Sequence, residues 1–447
     1  MKIAFLRLWD ALRGSYWFIP SVMCIAALFL SQALLPIDRW IESKAAYVPH
    51  WMYRGSPEGA RAVLTIIASS MLGVAGVVFS ISTVALTLAS SQFGPRLMRN
   101  FIRDRSNQTV LGTFLASFVY CLLVLSAVST GEHNDFTPRA SIAVAVVMAL
   151  SSLAGFIYFI HHFVTSIQAP EVVNGVSREL AQAIDAFLPR DRDVETRQPD
   201  EELLTAFRDH PAEITSERPG YVVALDLKLL RSVAKTHDVT LRVICRPGNF
   251  LITGECFVQV LPPYRLNDAL KAKARQAISI GRLRSTLQDL EFSLDQLVEV
   301  AVRALSPGIN DPFTAIHCID LLSEALGQIT HRSFPAPYHF DEDGKLRLVT
   351  ESLTLDDLLD AAFNQIRQYG GDSPAVMIRI LESLDPVITQ ATRAADLQAL
   401  ANHARIVHET GQANFAAESD RADLETRYRA IEKRLQRKMD EGKLGSA

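Results

Sequence analysis

The sequence predicts an α-helical membrane domain of four transmembrane helices, then an α+β cytoplasmic region with a small β-barrel-sandwich-like domain and a mainly helical C-terminal part. Three observations carry this expectation. Nearly all the apolar excess behind a mean hydropathy of +0.13 lies in residues 1–170, whereas residues 171–447 read like an ordinary charged soluble chain. The first part holds four runs that each meet the roughly 20 apolar residues a hydrocarbon core requires. After residue 203 the periodicity changes to short alternating runs, and from residue 265 it returns to helical spacing. This asymmetry excludes a single soluble enzyme, a disordered chain and a small disulfide scaffold. A formal net charge of −4 over 447 residues gives no support to a nucleic-acid binder.

The runs are 16–35, closed by Pro36; a stretch inside 62–95 that contains no Asp, Glu, Lys or Arg; 109–130; and 140–160. The first is long for the apolar part of a signal peptide and no small-x-small cleavage site follows it, so it reads as a retained span. Orientation follows from the basic residues near span ends. Lys2, Arg7 and Arg13 precede span one, and Arg96, Arg99, Arg103 and Arg105 fill the connector between spans two and three. The connector between spans three and four offers only Glu132, His133 and Asp135, so both termini are expected on the cytoplasmic side. Trp40, Tyr47, Trp51 and Tyr53 in the first outer loop suit an interfacial belt, and His161 and His162 leave span four as an interfacial pair. The five cysteines form no CxxC or CxxH pair, so reduced thiols are expected and no metal site.

Span two is chemically distinct. Ser69, Gly73, Gly76, Ser80, Thr83, Thr87, Ser90 and Gly94 recur at spacing 4-3-4-3-4-3-4, which places small or hydroxyl side chains on one helix face. Two readings stand. The face packs against another helix, where small residues permit close approach and hydroxyls bond across; or several copies surround an aqueous or ion path, with Arg96, Arg99, Arg103 and Arg105 at its inner mouth. The same basic cluster also suits lipid headgroups.

Four segments organise the chain: 1–170, the membrane domain; 171–202, an amphipathic helix ending at Pro189 and a charged linker; 203–264, a small β-rich domain; and 265–447, mainly helical. In the β-rich part, strands are expected at 221–225, 239–245, 250–252 and 256–261, with a helix after the first and Pro247-Gly248 at a turn. The run RPGNFLITGECFVQV is similar to the turn of barrel-sandwich carrier domains, though the modified-lysine motif is absent and no cofactor is expected. A long helix is expected over 266–305, bringing Arg284 near Gln288 and Glu299 near Arg303. Then Pro307-Gly308 stops a helix, Asp311 caps the next and Pro312 opens it. Ser306, Asn310, Asp311 and Thr314 form either a capping turn or a ligand site at that helix start. A hairpin around Asp343-Gly344 precedes helices at 354–369, 373–389, 393–413 and 417–440.

Several runs together carry a family resemblance: ASSQFGPRLMRNFIRDRSNQ (89–108), FVYCLLVL (118–125), SIQAP (166–170), QDLEF (288–292) and RALSPGINDPFTA (303–315). With them the chain resembles a bacterial membrane-protein family catalogued as the domain of unknown function numbered 2254. The resemblance implies four N-terminal spans and a cytoplasmic region in the bacterial inner membrane, and supplies no catalytic residues. No phosphate loop, dinucleotide glycine pattern, HExxH or nucleophile elbow occurs, so an enzyme is not expected. The expected function is an oligomeric ion channel or small-solute pore with a cytoplasmic regulatory domain, its partners being the lipid bilayer, further copies of itself and the ion or solute. The alternative is a membrane-anchored scaffold or sensor that binds through its cytoplasmic region without transport.

Overall fold

A computed structural model describes residues 16–43, 52–94, 105–129, 136–166, 168–189, 198–199 and 201–444. The chain divides into two units, Met1–Glu171 and Val172–Ala447.

The first unit contains α1 (Phe18–Ser43), α2 (Pro57–Phe93), α3 (Arg105–Ala127) and α4 (Arg139–Ser166), each long and apolar enough to cross a bilayer. Pro36 does not end span one: α1 continues through it to Ser43. Proline removes one backbone hydrogen bond, a loss that membrane helices tolerate where neighbouring groups compensate. Helix α3 is the hub, with 50% of its apolar window buried against 22% for each of the other three. Its Gly112 lies so close to α1 that a Cβ there would stand 2.6 Å from Met23 Sδ and 3.1 Å from Pro20 Cα, so a larger residue would require Met23 to move and α1 to give slightly. The hydroxyls of Ser117 and Ser152 meet at 3.0 Å between α3 and α4. The extra turns of α1 carry Asp38, which is 3% exposed, to the start of α4. Its carboxylate accepts from the backbone N–H groups of Ala140 (2.7 Å) and Ser141 (3.0 Å) and from Ser141 Oγ (2.6 Å). One span thus caps another.

In the second unit, α5 (Ala169–Phe187) buries Val172, Val173, Val176, Leu180 and Ile184 along one face, and α6 (Glu201–Asp209) follows. The strands are β1 (Ala212–Thr215), β2 (Gly220–Leu225), β3 (Thr240–Val243), β4 (Phe250–Leu251), β5 (Cys256–Leu261), β6 (Ile278–Gly281), β7 (Tyr338–Phe340) and β8 (Leu346–Val349). They form two open sheets, β1-β5-β3-β8-β7 and β4-β2-β6, rather than the expected barrel-sandwich. The Pro-Gly turn does form, with Gly248 at φ +98°. No barrel closes because the second edge of β3 is taken by β8, in parallel and from far along the chain, while β2 pairs only with β4 and β6. Helices α7 (Leu227–His237) and α8 (Asp268–Gln276) press Leu230, Val233, Ala234, Leu270 and Ala274 into the core shared with Val222, Leu241, Val258 and Leu348. The β-rich part therefore extends past residue 264 through β6 and recruits the later hairpin.

The long helix expected over 266–305 is two helices separated by a strand: α8, then β6, then an irregular stretch to Asp289, then α9 (Leu290–Ala304). Apolar periodicity alone does not distinguish these. After α9 come α10 (Pro312–Thr330), α11 (Leu355–Tyr369), α12 (Pro374–Gln390), α13 (Ala394–Asn414) and α14 (Glu418–Leu444), the last four within a few residues of expectation. The breaks follow local chemistry. Thr354 and Asp357 make a reciprocal capping box on α11, and Pro374 occupies the first turn of α12 behind Ser373.

Candidate functional site

Helix α2 has two faces of different chemistry. The packed face is alanine-rich: Ala60, Leu64, Ala68, Ala75, Val78, Ala85 and Ala89 are all buried. Ala60, Leu64 and Ala68 join a core with Tyr120, Val124 and Ile142, and Ala75 and Val78 join another with Phe114 and Phe159. The hydroxyl and glycine stripe lies on the other side. Ser69, Gly73, Gly76, Ser80, Thr83 and Thr87 are exposed and Ser90 is half-buried. At 100° per residue the two faces are centred roughly 140° apart. A Cβ added at Gly73 or Gly76 would touch nothing within 4 Å. The stripe is therefore not a packing surface within the described part of its own chain.

From Ser69 to Ser90 the rise is about 32 Å, close to the full hydrocarbon thickness. Three stripe hydroxyls donate back to their own helix: Ser69 to the Ile66 carbonyl (3.1 Å), Thr83 to Phe79 (2.9 Å) and Thr87 to Thr83 (3.0 Å). Each hydroxyl oxygen retains acceptor capacity, and the face carries no formal charge. Exposed Leu72, Val77, Phe79, Val84 and Leu88 flank it. Of the basic cluster, Arg96, Arg99 and Arg103 lie outside the described residues; Arg105 opens α3 and is exposed.

The turn before α10 is spent on capping. Asp311 accepts from Thr314 N–H (3.2 Å) and Thr314 Oγ1 (2.6 Å), its own N–H donates to the Ala304 carbonyl (2.7 Å), and Ser306 Oγ donates to the Arg303 carbonyl (2.6 Å). Asn310 sits at φ +51°, a conformation asparagine tolerates. Phe313, in the middle of this motif, is 81% exposed. Buried below, the Cys318 thiol is pushed up to about 12 by burial first and then by the Asp311 charge.

A second polar joint, not anticipated from sequence, holds α9 to the β-rich part. Gln288 clamps the end of β2, accepting from Leu225 N–H at 2.8 Å rather than meeting Arg284. Asp289 caps α9 through Phe292 N–H (2.9 Å) and receives Arg284 at 2.8 and 3.0 Å, while Arg284 also reaches Asp295 (2.8 Å). The Pro-Gly turn packs against this pair. Its Arg246 meets Glu291 and Asp357, both at 3.3 Å. Burial outweighs that attraction and raises the Glu291 carboxyl above its ordinary value. Of the two side-chain pairs expected by helical spacing, Glu299 with Arg303 forms at 3.5 Å, whereas Arg284 and Gln288 take other partners. The only signal for the joint was the density of charge in 284–295. Among the described residues no group of three or more His, Cys, Asp or Glu is placed to hold a metal ion.

Four spans, an α+β region and this arrangement of uncommitted surface define a multi-pass membrane protein. Residues 13–386 match the family described as "Predicted membrane protein (DUF2254)", and the chain belongs to that family. An uncharacterized protein of Mycobacterium tuberculosis strain H37Rv is 30% identical over 425 residues, covering 92% of this chain and 79% of its own. One from Mycobacterium bovis gives the same figures. No solved structure matches.

Proposed function

We propose that the protein is an oligomeric pore of the bacterial inner membrane, both termini cytoplasmic, in which α2 of each copy turns its hydroxyl stripe toward a shared path for an ion or small solute. The second unit regulates that path, and no catalysis is assigned to it. The single supporting observation is the orientation of the stripe. A face of glycine and hydroxyl side chains, as long as the hydrocarbon is thick, points away from the chain's own spans. A lipid-facing position gives such residues no solvation advantage over leucine, so a protein or aqueous neighbour accounts for them better.

Conduction by the purified full chain in planar bilayers tests this reading, with Ser80→Leu and Thr83→Val expected to alter conductance. Assembled oligomers that remain silent would count against it. A second reading keeps the face for packing between copies and gives the protein an anchoring or partner-binding role. The back-bonding of Ser69, Thr83 and Thr87 favours it, because hydroxyls satisfied on their own helix need no water. Cysteines placed at Ser80 and Thr83, with Cys24 and Cys121 replaced by alanine, separate the two. A charged thiol reagent reaches a watered path and fails to reach a dry seam.

A further inference from the structure

We infer that the groove between α3 and α4, at the end of α3 bearing the basic connector, binds the phosphate headgroup of an anionic phospholipid. The groove is an open depression of about 420 Å³ lined by Arg105, Ser106, Thr109, Val110 and Thr113 of α3 and by Ala154, Gly155 and Tyr158 of α4. That volume falls within the ordinary range for small-molecule sites, about 300–1,000 Å³. It exists because α4 presents small residues there; a Cβ at Gly155 would meet nothing within 4 Å.

The chemistry is that of an anion site with an apolar continuation. Arg105 is exposed and makes no ion pair or hydrogen bond among the described residues, so its guanidinium has donors to offer. Ser106 Oγ and Tyr158 Oη stand 3.3 Å apart across the groove, and the Tyr158 ring stacks on His162 at 5.5 Å, which fixes the phenol. Helix α3 is about 35 Å long, a little more than the hydrocarbon is thick, so Arg105 at its first residue reaches the headgroup boundary. One to two turns along α4 from Ala154, about 10 Å toward the bilayer interior, Leu150 and Val147 are exposed, with Leu153 beside them. A headgroup seated at Arg105 thus lays its acyl chains on these residues. A free phosphate would use only the polar half. This inference stands independently of whether α2 lines a pore.

The test is lipid retention by the full-length protein in detergent, read by native mass spectrometry while phosphatidylglycerol or phosphatidylcholine is titrated in. The wild type should retain phosphatidylglycerol preferentially. Arg105→Gln should weaken it roughly five-fold, the value of about 1 kcal/mol per basic residue at an anionic surface. Gly155→Leu, which fills the groove without touching the charge, should weaken retention while leaving the thermal unfolding midpoint unchanged. Arg139→Gln, at the opposite end of α4, should behave as wild type. Equal retention of both lipids, or unchanged phosphatidylglycerol binding in Arg105→Gln and Gly155→Leu, overturns the inference. Full displacement of the lipid by millimolar inorganic phosphate overturns the assignment to a phospholipid.

Discussion

Asp38 provides the sharpest test of how the membrane unit is held. Its carboxylate serves three donors at the first turn of α4 and is buried between spans. Asp38→Ala leaves two backbone N–H groups and one hydroxyl without that acceptor. A hydrogen bond to a charged group contributes about 1.5–3 kcal/mol and loss of a helix cap about 0.5–2 kcal/mol, and these overlap rather than add. Removing the buried charge recovers part of its desolvation cost. The net loss should be about 3 kcal/mol. Asp38→Asn keeps one acceptor oxygen but turns an amide NH2 toward a donor, so about 2 kcal/mol should be lost. Ser141→Ala removes only the hydroxyl bond, about 1 kcal/mol, and the double mutant should show a coupling of comparable size. Reversible unfolding of the detergent-solubilised full chain, titrated with a denaturing detergent and followed by tryptophan fluorescence, measures all four proteins. If Asp38→Ala stays within about 0.5 kcal/mol of wild type, or its effect adds to that of Ser141→Ala without coupling, the interhelical cap is not what secures α4.

Gly248→Ala should destabilise the second unit by more than about 2 kcal/mol, because alanine at positive φ is strained and its Cβ would lie 2.4 Å from Asp289 Oδ2; the denaturant midpoint of the full chain reports it. Asp311→Ala should cost about 1 kcal/mol in the same assay and Asp311→Asn less, since asparagine also caps. Glu291→Gln should raise stability at pH 7. The folded carboxyl titrates above its ordinary value, because burial outweighs the Arg246 charge, so the wild type gains stability as pH falls through that raised value and the gap between wild type and Glu291→Gln should narrow there. His403 behaves oppositely. Burial lowers it although Asp360 lies 3.1 Å away, so its contribution is present above the ordinary histidine value and is lost as pH falls below it; His403→Gln should flatten that acid limb of the unfolding midpoint.

What was readable in the sequence is what local physics determines. The α9–α10 break follows from Pro307-Gly308, Asp311 and Pro312, and the last four helices follow from apolar periodicity bounded by capping residues. The stripe on α2 was equally plain. Its direction was not, because Ala60, Ala68, Ala75, Ala85 and Ala89 mark a second face of small residues on the same helix, and nothing local tells which of the two faces meets α3. Asp38 was hidden by Pro36: once the proline is taken as a helix end, the acid reads as a loop charge. The parallel pairing of Leu241 with Leu348 joins residues more than a hundred positions apart, beyond any periodicity, and it is the contact that opens the expected barrel. The short strand β6 was lost inside a helical pattern because four residues cannot establish a period of two.

Two of the sequence runs that carry the family resemblance prove to be joints. In QDLEF, Gln288 holds the β2 backbone, Asp289 caps α9 and fixes Arg284, Glu291 meets Arg246, and Phe292 lies under the Arg284 guanidinium at 5.1 Å from the ring centre. In SPGINDPFTA the Asp311 carboxylate and the Ser306 hydroxyl are consumed by the turn itself, and Ala315 is buried. Groups used in this way are poor candidates for binding a ligand, because each new contact must first break an internal one. On the membrane unit, by contrast, the Arg105 guanidinium is exposed and makes no ion pair or hydrogen bond among the described residues. The self-satisfied groups of these two runs therefore argue that they hold the fold of the second unit. Phe313 is the exception, an exposed apolar side chain inside an otherwise self-satisfied motif. Its replacement by serine should leave the fold intact, since it buries almost nothing, so any loss of function in Phe313→Ser would locate an action of the second unit at that turn.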